Sequence, residues 1–466
     1  MQEGEQENAK ISGWALLAMA LSVLIIAIDF TAFSVALPTI GEEFQAGINK
    51  TQWIINGYSL MFGVLIVTGG RLADRIGRRK TLIIGISIFT AFSVFASLTS
   101  SIVGLIVCRI LMGVGGALMW PSILGIVFSI IPAHRAGLAG ALVIGTAGFG
   151  NAMGPMFGGV LTDLLSWRWI FLINVPIAMI VFLFVYKVIE NDKPIDKNEP
   201  IDYVGVLTLS IALMALLLAL DFGIGLGWTD PFILSLFVIF FIAICAFFYI
   251  EYKVGQSALI PTDMVHNYPF MAAGVATLMM SAIFFAVLVY LPLFFSETMQ
   301  YSAMRSGVGL LPVMLTFAVA SFFAGALYEK LGAKLILSVG STCLALGMFL
   351  LSSLTMHSSY ASMLLGMFIL GTGVGLFYAT ITTASLTSVP EHRASLAGGI
   401  IFMFQIAGGS IGLGFNTAIV THFQQLSEGI NMAFRLNGVL SILGLIICLF
   451  WIGGKKRLEK CQSKIN

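Results

Sequence analysis

The chain has 466 residues, 58% of them hydrophobic and only 10% charged, with a formal net charge of +2 and a mean hydropathy of +0.99. That balance excludes a soluble globular domain, and the lack of a long basic tract argues against a nucleic-acid partner. The apolar runs are continuous rather than alternating, which excludes a β-barrel and leaves helices to satisfy the backbone in lipid.

The first ten residues are polar and acidic, with no short apolar region and small-residue cleavage site behind them. No removable signal peptide is expected, and the first span is its own membrane signal. Fourteen spans are predicted: 12–37, 52–72, 80–98, 102–131, 136–162, 168–188, 204–222, 231–251, 270–295, 306–328, 335–354, 360–388, 394–420 and 432–452. With both termini inside, 19 of the 24 Lys and Arg fall in inside loops and tails, four fall outside, and Arg109 lies within a span. The positive-inside rule therefore predicts cytoplasmic termini in a cytoplasmic membrane, plasma or bacterial inner. Cys108, Cys245, Cys343 and Cys448 fall in apolar spans and Cys461 in the tail, without paired spacing for a metal or a disulfide.

The first span carries one carboxylate, Asp29, nine positions before Pro38. At helical rise that is about 13 Å inside the outer end, where a lipid-facing acid would cost roughly 2.5–3.5 kcal/mol. Asp29 must face protein or water. It is either a structural acid capped by Thr31 or Ser34, or a proton or cation site, since a dry cavity favours the neutral form of a carboxylate.

After the second span stands GRLADRIGRRK, Gly70 to Lys80. Gly70 and Gly77 allow a tight turn, and Asp74 and Arg78 are four apart, able to pair on a helix. Arg75, Arg79 and the other basic residues there also serve topology. Arg109 lies about 12 Å from the outer surface, counted from Ser101 at helical rise, the depth reckoned for Asp29. In the fifth span Gly150, Gly154, Gly158 and Gly159 surround Pro155. Small residues four apart allow close helix packing, and the proline bends the helix.

The segment 131–140, IPAHRAGLAG, returns at 389–398 as VPEHRASLAG, and at a similar offset 70–80 matches the degenerate 325–335. Spans 1–6 thus repeat as spans 9–14, in parallel orientation, with 204–251 as an inserted helix pair. The predicted divisions are 1–190 for a first six-helix bundle, 191–255 for linker and inserted helices, and 256–466 for the second bundle and tail; the polar segment 190–202 is the interdomain linker. The second copy keeps Gly325, Glu329, Gly332 and Lys334, so a weaker partner latch is expected there. The acids Asp221, Glu251, Glu297 and Glu329 are placed at span ends.

The loop at 70–80 resembles the G-x-L-A-D-R-x-G-R-[RK] signature of the major facilitator superfamily, without a gap. IDFTAFSVALP (28–38), QWIINGY (52–58), RILMGVGGA (109–117), GNAMGPMFGG (150–159), WRWIFLINVP (167–176) and YLPLFF (290–295) resemble the fourteen-span drug/proton antiporters of that superfamily over nearly the whole chain. The resemblance implies an all-α polytopic fold of two six-helix bundles plus two inserted helices, with spans 1 and 4 lining a cavity, and export rather than import from the glycine–proline motif. It also implies that Asp74 and Arg78 latch the halves together in the outward-open state. Gln is the family's residue three after this Arg; Met112 stands here.

Asp29 and Arg109 are therefore expected to interact, directly or through water, across a wet central cavity. Asn56, Tyr58, Asn151, Gln405, Phe284 and Phe285 are candidate lining residues. Spans 9–14 have no central carboxylate, which favours neutral or singly charged lipophilic substrates. The expected function is proton-coupled antiport exporting such amphiphilic molecules, with the proton gradient as energy source, no ATP motif, no other cofactor, no bound metal and no enzymatic reaction. The chain is expected to act as a monomer. A nutrient importer or uniporter, and a non-transporting receptor or scaffold, are the rival readings.

Overall fold

A computed structural model describes residues 13–190, 202–255, 258–355 and 358–452, and fourteen helical segments among them are long and apolar enough to span a membrane. The first group comprises α1 (Gly13–Glu43), α2 (Ile48–Ile76), α3 (Arg78–Leu98), α4 (Ile102–Ile130), α5 (Ala136–Leu164), and α6 (Arg168–Leu172) with α7 (Asn174–Val188), which form one span. Then come α8 (Tyr203–Leu226) and α9 (Pro231–Val254), and the short α10 (Thr262–Val265). The second group is α11 (Tyr268–Glu297), α12 (Ala303–Val308) with α13 (Leu311–Leu331), α14 (Ala333–Leu351), α15 (Tyr360–Leu386), α16 (Ala394–Val420) and α17 (Leu426–Trp451). The expected linker at 190–202, apart from its ends, and the basic tail with Cys461 lie outside the described residues.

Within the first bundle α1 packs along α5, and α2 and α3 along α4; within the second α11 packs along α16, and α13 and α14 along α15. The bundles meet where α2 crosses α16 and α5 crosses α13. The internal repeat makes α13 the copy of α2 and α16 the copy of α5, so it exchanges these two crossings. The pair α8–α9 is mainly self-packed, with α8 also touching α2 and α16.

Single glycines set the sharp corners of the repeat. Gly77 joins α2 to α3 at φ 107°, and Gly332 joins α13 to α14 at φ 78°, a region that side chains with a Cβ rarely adopt. Gly70 takes no part in a turn: it lies inside α2, where an added Cβ would come within 2.6 Å of the Ser395 carbonyl oxygen on α16.

Several helices run past the predicted span ends, and two of these extensions bear on the site. α1 continues through Pro38 to Glu43, held by Glu43 accepting the Trp167 indole N–H at 2.6 Å and pairing with Arg168 at 2.8 Å. α8 continues to Leu226, which puts Asp221 inside the helix rather than at its end.

Candidate substrate cavity, latch and ion-pair node

A cavity of about 760 Å³ lies between the bundles, toward the end of the molecule away from the 70–80 loop, a size typical of small-molecule sites. Its lining reaches exposed Ser34 and Gln52 at that end. Phe30, Phe284, Phe285, Phe317 and Tyr378 supply its aromatic walls, and Thr31, Asn151, Gln405 and Ser306 its sparse polar groups. Among the described residues, no Asp, Glu, Lys, Arg or His lines it. Tyr378 is tied to Ser281 by a 2.7 Å hydroxyl contact, which fixes the ring at the wall.

Aromatic rings close the cavity on its inner side. Phe402 of α16 lies 4.6 Å, centroid to centroid, from Trp120 of α4 and 5.4 Å from Phe62 of α2, so one side chain of the second bundle wedges onto two of the first. All three line the cavity.

Beyond this floor lies a polar latch. Asp74 accepts the backbone N–H of Leu396 at 2.8 Å and of Ser395 at 3.2 Å, so a carboxylate of the first bundle caps the N-terminus of α16 in the second. Arg78 stands 3.3 Å from Asp74 and donates to the carbonyls of Gly125 at 2.8 Å and Glu391 at 2.5 Å. Both side chains are nearly buried. Arg79 donates to the Tyr186 carbonyl at 2.6 Å and so braces the loop within its own bundle; Arg75 Nη1 has no partner among the described residues.

The second copy lacks such a latch. Glu329 is exposed and makes no ion pair among the described residues. The equivalent crossing is made by bare backbone: a Cβ on Gly325 would sit 2.5 Å from the Gly137 carbonyl oxygen. One closure is charged and the other is steric.

Asp29 and Arg109 are in direct contact, at 2.5 Å, and both are fully buried. Arg109 also donates from Nε to the Ile54 carbonyl at 2.8 Å, and its guanidinium lies between the rings of Phe33 and Tyr58, at 4.5 and 4.4 Å. Asn174 of α7 donates to the other Asp29 oxygen at 3.2 Å and lies 3.4 Å from Ser93 of α3. One buried pair thus joins α1, α2, α3, α4 and α7.

The cavity wall stands between this node and solvent. Phe30 lines the cavity and meets Tyr58 edge-on at 6.0 Å, while Tyr58 lies under the guanidinium. The expectation of an acid and a guanidinium facing each other across a wet vestibule is therefore corrected for this conformation, because they touch and are sealed.

Comparison with known proteins gives the family. The model for the Major Facilitator Superfamily matches residues 19–413 and 275–464. The chain belongs to the Major Facilitator Superfamily. It is 29% identical to a tetracenomycin C resistance and export protein of Streptomyces glaucescens, over 91% of this chain and 76% of that one. It is 31% identical to multidrug resistance protein Stp of Mycobacterium tuberculosis over 85% of this chain and 74% of the relative, and 28% identical to a methylenomycin A resistance protein of Bacillus subtilis over 96% of both. Among solved structures, the human organic anion transporter MFSD10 matches with a TM-score of 0.71 at 13% identity, over 93% of this chain and 99% of that one. A double-tryptophan mutant of XylE matches at 0.65 and 16%, over 97% and 98%. At those identities the two structures support the fold alone.

In this Major Facilitator Superfamily chain the expected site residues fall into separate groups. Asn151, Gln405, Phe284 and Phe285 line the cavity. Tyr58 joins the buried node instead, and Asn56 turns to Asp221 of α8 at 2.7 Å; neither lines the central cavity. Pro155 lines the cavity while Gly154 and Gly158 face α1, where a Cβ at Gly158 would sit 2.1 Å from the Ala32 carbonyl oxygen. Gly150 packs on Ala27, and Gly159 has room, with its nearest neighbour at 3.6 Å. Asn174 and Trp120 were not singled out from sequence. A polar amide two residues before Pro176 in an apolar span was the available signal for Asn174; Trp120 in an apolar run gave none.

Proposed function

We propose that this chain is a proton-coupled antiporter that exports lipophilic or singly charged amphiphilic small molecules by alternating access, with both termini in the cytoplasm. The observation that carries the reading is the central cavity: large, aromatic, free of ionised groups among the described residues, and closed on the side of the basic 70–80 loop by two successive barriers. With that loop cytoplasmic, as its basic residues favour, the conformation is outward-facing. The relatives named for drug or antibiotic resistance and export support efflux.

Asp29 is the carboxylate proposed to carry the proton, since an intramembrane acid marks an ion pathway more often than packing. Charged, it holds Arg109 and through it the carbonyl of α2. Protonated, it no longer balances the guanidinium, which keeps Ile54 and two rings as partners. Loading a proton therefore loosens α1 from α2 and α4, a change at the cavity wall that Phe30 transmits through Tyr58. Substrate pressing on Phe30 acts on the same contact from the other side.

Everted vesicles with an imposed proton gradient test this. Wild type should accumulate ethidium in proportion to the gradient and consume the gradient as it does so, and Asp29→Asn should do neither. Accumulation indifferent to the gradient, or unchanged in Asp29→Asn, would remove the coupling mechanism.

A further inference from the structure

A second cavity, of about 170 Å³, lies outside the first, where α8 of the inserted pair meets α2 and α16. Trp53 and Asn56 of α2, Leu217 and Asp221 of α8, Phe285 of α11 and Ile406 of α16 are among its walls. It contains what the central cavity lacks, a carboxylate. Asp221 accepts a hydrogen bond from Asn56 Nδ2 at 2.7 Å, is exposed, and makes no ion pair among the described residues. It lies five residues before the end of α8, about 7.5 Å along the helix. An acid within a span without a countercharge is expensive and tends to serve a ligand or ion.

Phe285 and Ile406 are walls of both cavities. Among the described residues these two side chains alone are shared, so the small cleft sits against the large one as a side chamber, on the flank covered by α8, with Phe285 and Ile406 as the wall between them. The other walls are mostly apolar or aromatic, with the hydroxyls of Ser59 and Ser410 among them, and an aromatic face such as Trp53 attracts a cation that a carboxylate already holds.

We propose that the α2–α8–α16 cleft is a second binding site, for the positive head of a singly charged amphiphile such as a quaternary ammonium or phosphonium, with Asp221 as its countercharge and Asn56 holding that carboxylate in place. The apolar remainder of the ligand lies against Phe285 and Ile406. This rests on the efflux reading and assigns the inserted helices a role in it: neutral substrates need only the central cavity, whereas permanent cations also use the side chamber.

Equilibrium binding to the purified full chain in phosphatidylglycerol nanodiscs tests the site without any gradient. The probes are tetraphenylphosphonium and uncharged triphenylphosphine oxide. Asp221→Asn should weaken phosphonium binding about two- to fivefold, the range of a partly exposed charge pair, and leave the phosphine oxide unchanged. Asp221→Glu, which keeps the charge, should retain the phosphonium. Phosphonium binding unchanged in Asp221→Asn, or loss of both probes in both variants, would overturn the site. So would complete displacement of the phosphonium by phosphatidylethanolamine in the disc, which would give the cleft to a lipid amine. Failure of gradient-driven export in wild-type vesicles would strike the transport reading alone, because this binding needs no coupling.

Discussion

Asp74 on α2 accepts the backbone N–H of Leu396, 322 positions along the chain and in the other bundle. The bond puts a negative charge at the positive end of α16, where backbone N–H groups lack partners. On this side the two bundles are therefore joined by a helix cap.

Asp74→Asn removes the charge but keeps the shape. Asn caps about as well as Asp, so the lost charge–dipole interaction is about 0.3–1 kcal/mol, enough to raise the latch-open population about two- to fivefold. Spin labels at the exposed positions Lys80 and Lys330 should show a longer distance gaining weight. Glu329→Gln, at the corresponding place in the second copy, should leave the distribution unchanged, since that acid is exposed and unpaired among the described residues.

The Asp29–Arg109 node allows stability to be separated from transport. Asp29→Leu leaves a guanidinium buried without its countercharge and should cost about 3–5 kcal/mol, whereas removing both charges in Asp29→Leu/Arg109→Met should recover most of that. Thermal unfolding in detergent measures both. Gradient-driven export should stay absent in the double variant; if it returned with stability, the pair would be structural only.

These relationships were unequally legible in the sequence. Asp29 and Arg109 could be matched because rise per residue is constant and they are the ionisable residues placed deep in spans, although α1 proved longer than the Pro38 boundary used for the count. Asn56 and Tyr58 could not both line one cavity: residues two apart on a helix point to nearly opposite sides, so one faces α8 and the other Arg109. Gly70 looked like a turn residue because glycine serves turns and close crossings alike. The repeat at 389–398 revealed a duplication but not that its amides receive Asp74, since backbone donors leave no mark on residue type. The floor made by Phe62, Trp120 and Phe402 was hidden for a related reason: aromatic residues in apolar helices usually pack, and only distances show which ones meet across the bundles.

The glycine–proline stretch makes a steric prediction. Gly158→Ala places a methyl 2.1 Å from the Ala32 carbonyl oxygen, which is backbone and cannot swing away, whereas Gly159→Ala meets nothing nearer than 3.6 Å. The first should lower stability by about 1–3 kcal/mol through overpacking, and the second should be close to neutral. A thermal-shift series with both variants and wild type decides it; equal behaviour would mean that α1 and α5 are free to separate.

The central cavity carries no ionised side chain among the described residues, so its preference should be open to reversal by one atom. Gln405 lies in its wall on α16, and Gln405→Glu changes the charge with almost no change of volume. A carboxylate there has no partner among the lining residues, so the variant should gain affinity for compounds that bring two positive charges, one for the introduced carboxylate and one for Asp221, by about tenfold, the effect of roughly 1.4 kcal/mol. It should lose affinity for neutral compounds, because a bound neutral molecule strips water from the carboxylate without pairing with it. Competition binding with a bis-quaternary ammonium against its singly charged half measures the gain, and resistance of growing cells to the same pair shows whether the bound dication is also carried. If the variant bound both compounds as wild type does, the wall position of Gln405 would be solvated well enough to screen its charge, and selectivity would have to reside in cavity shape.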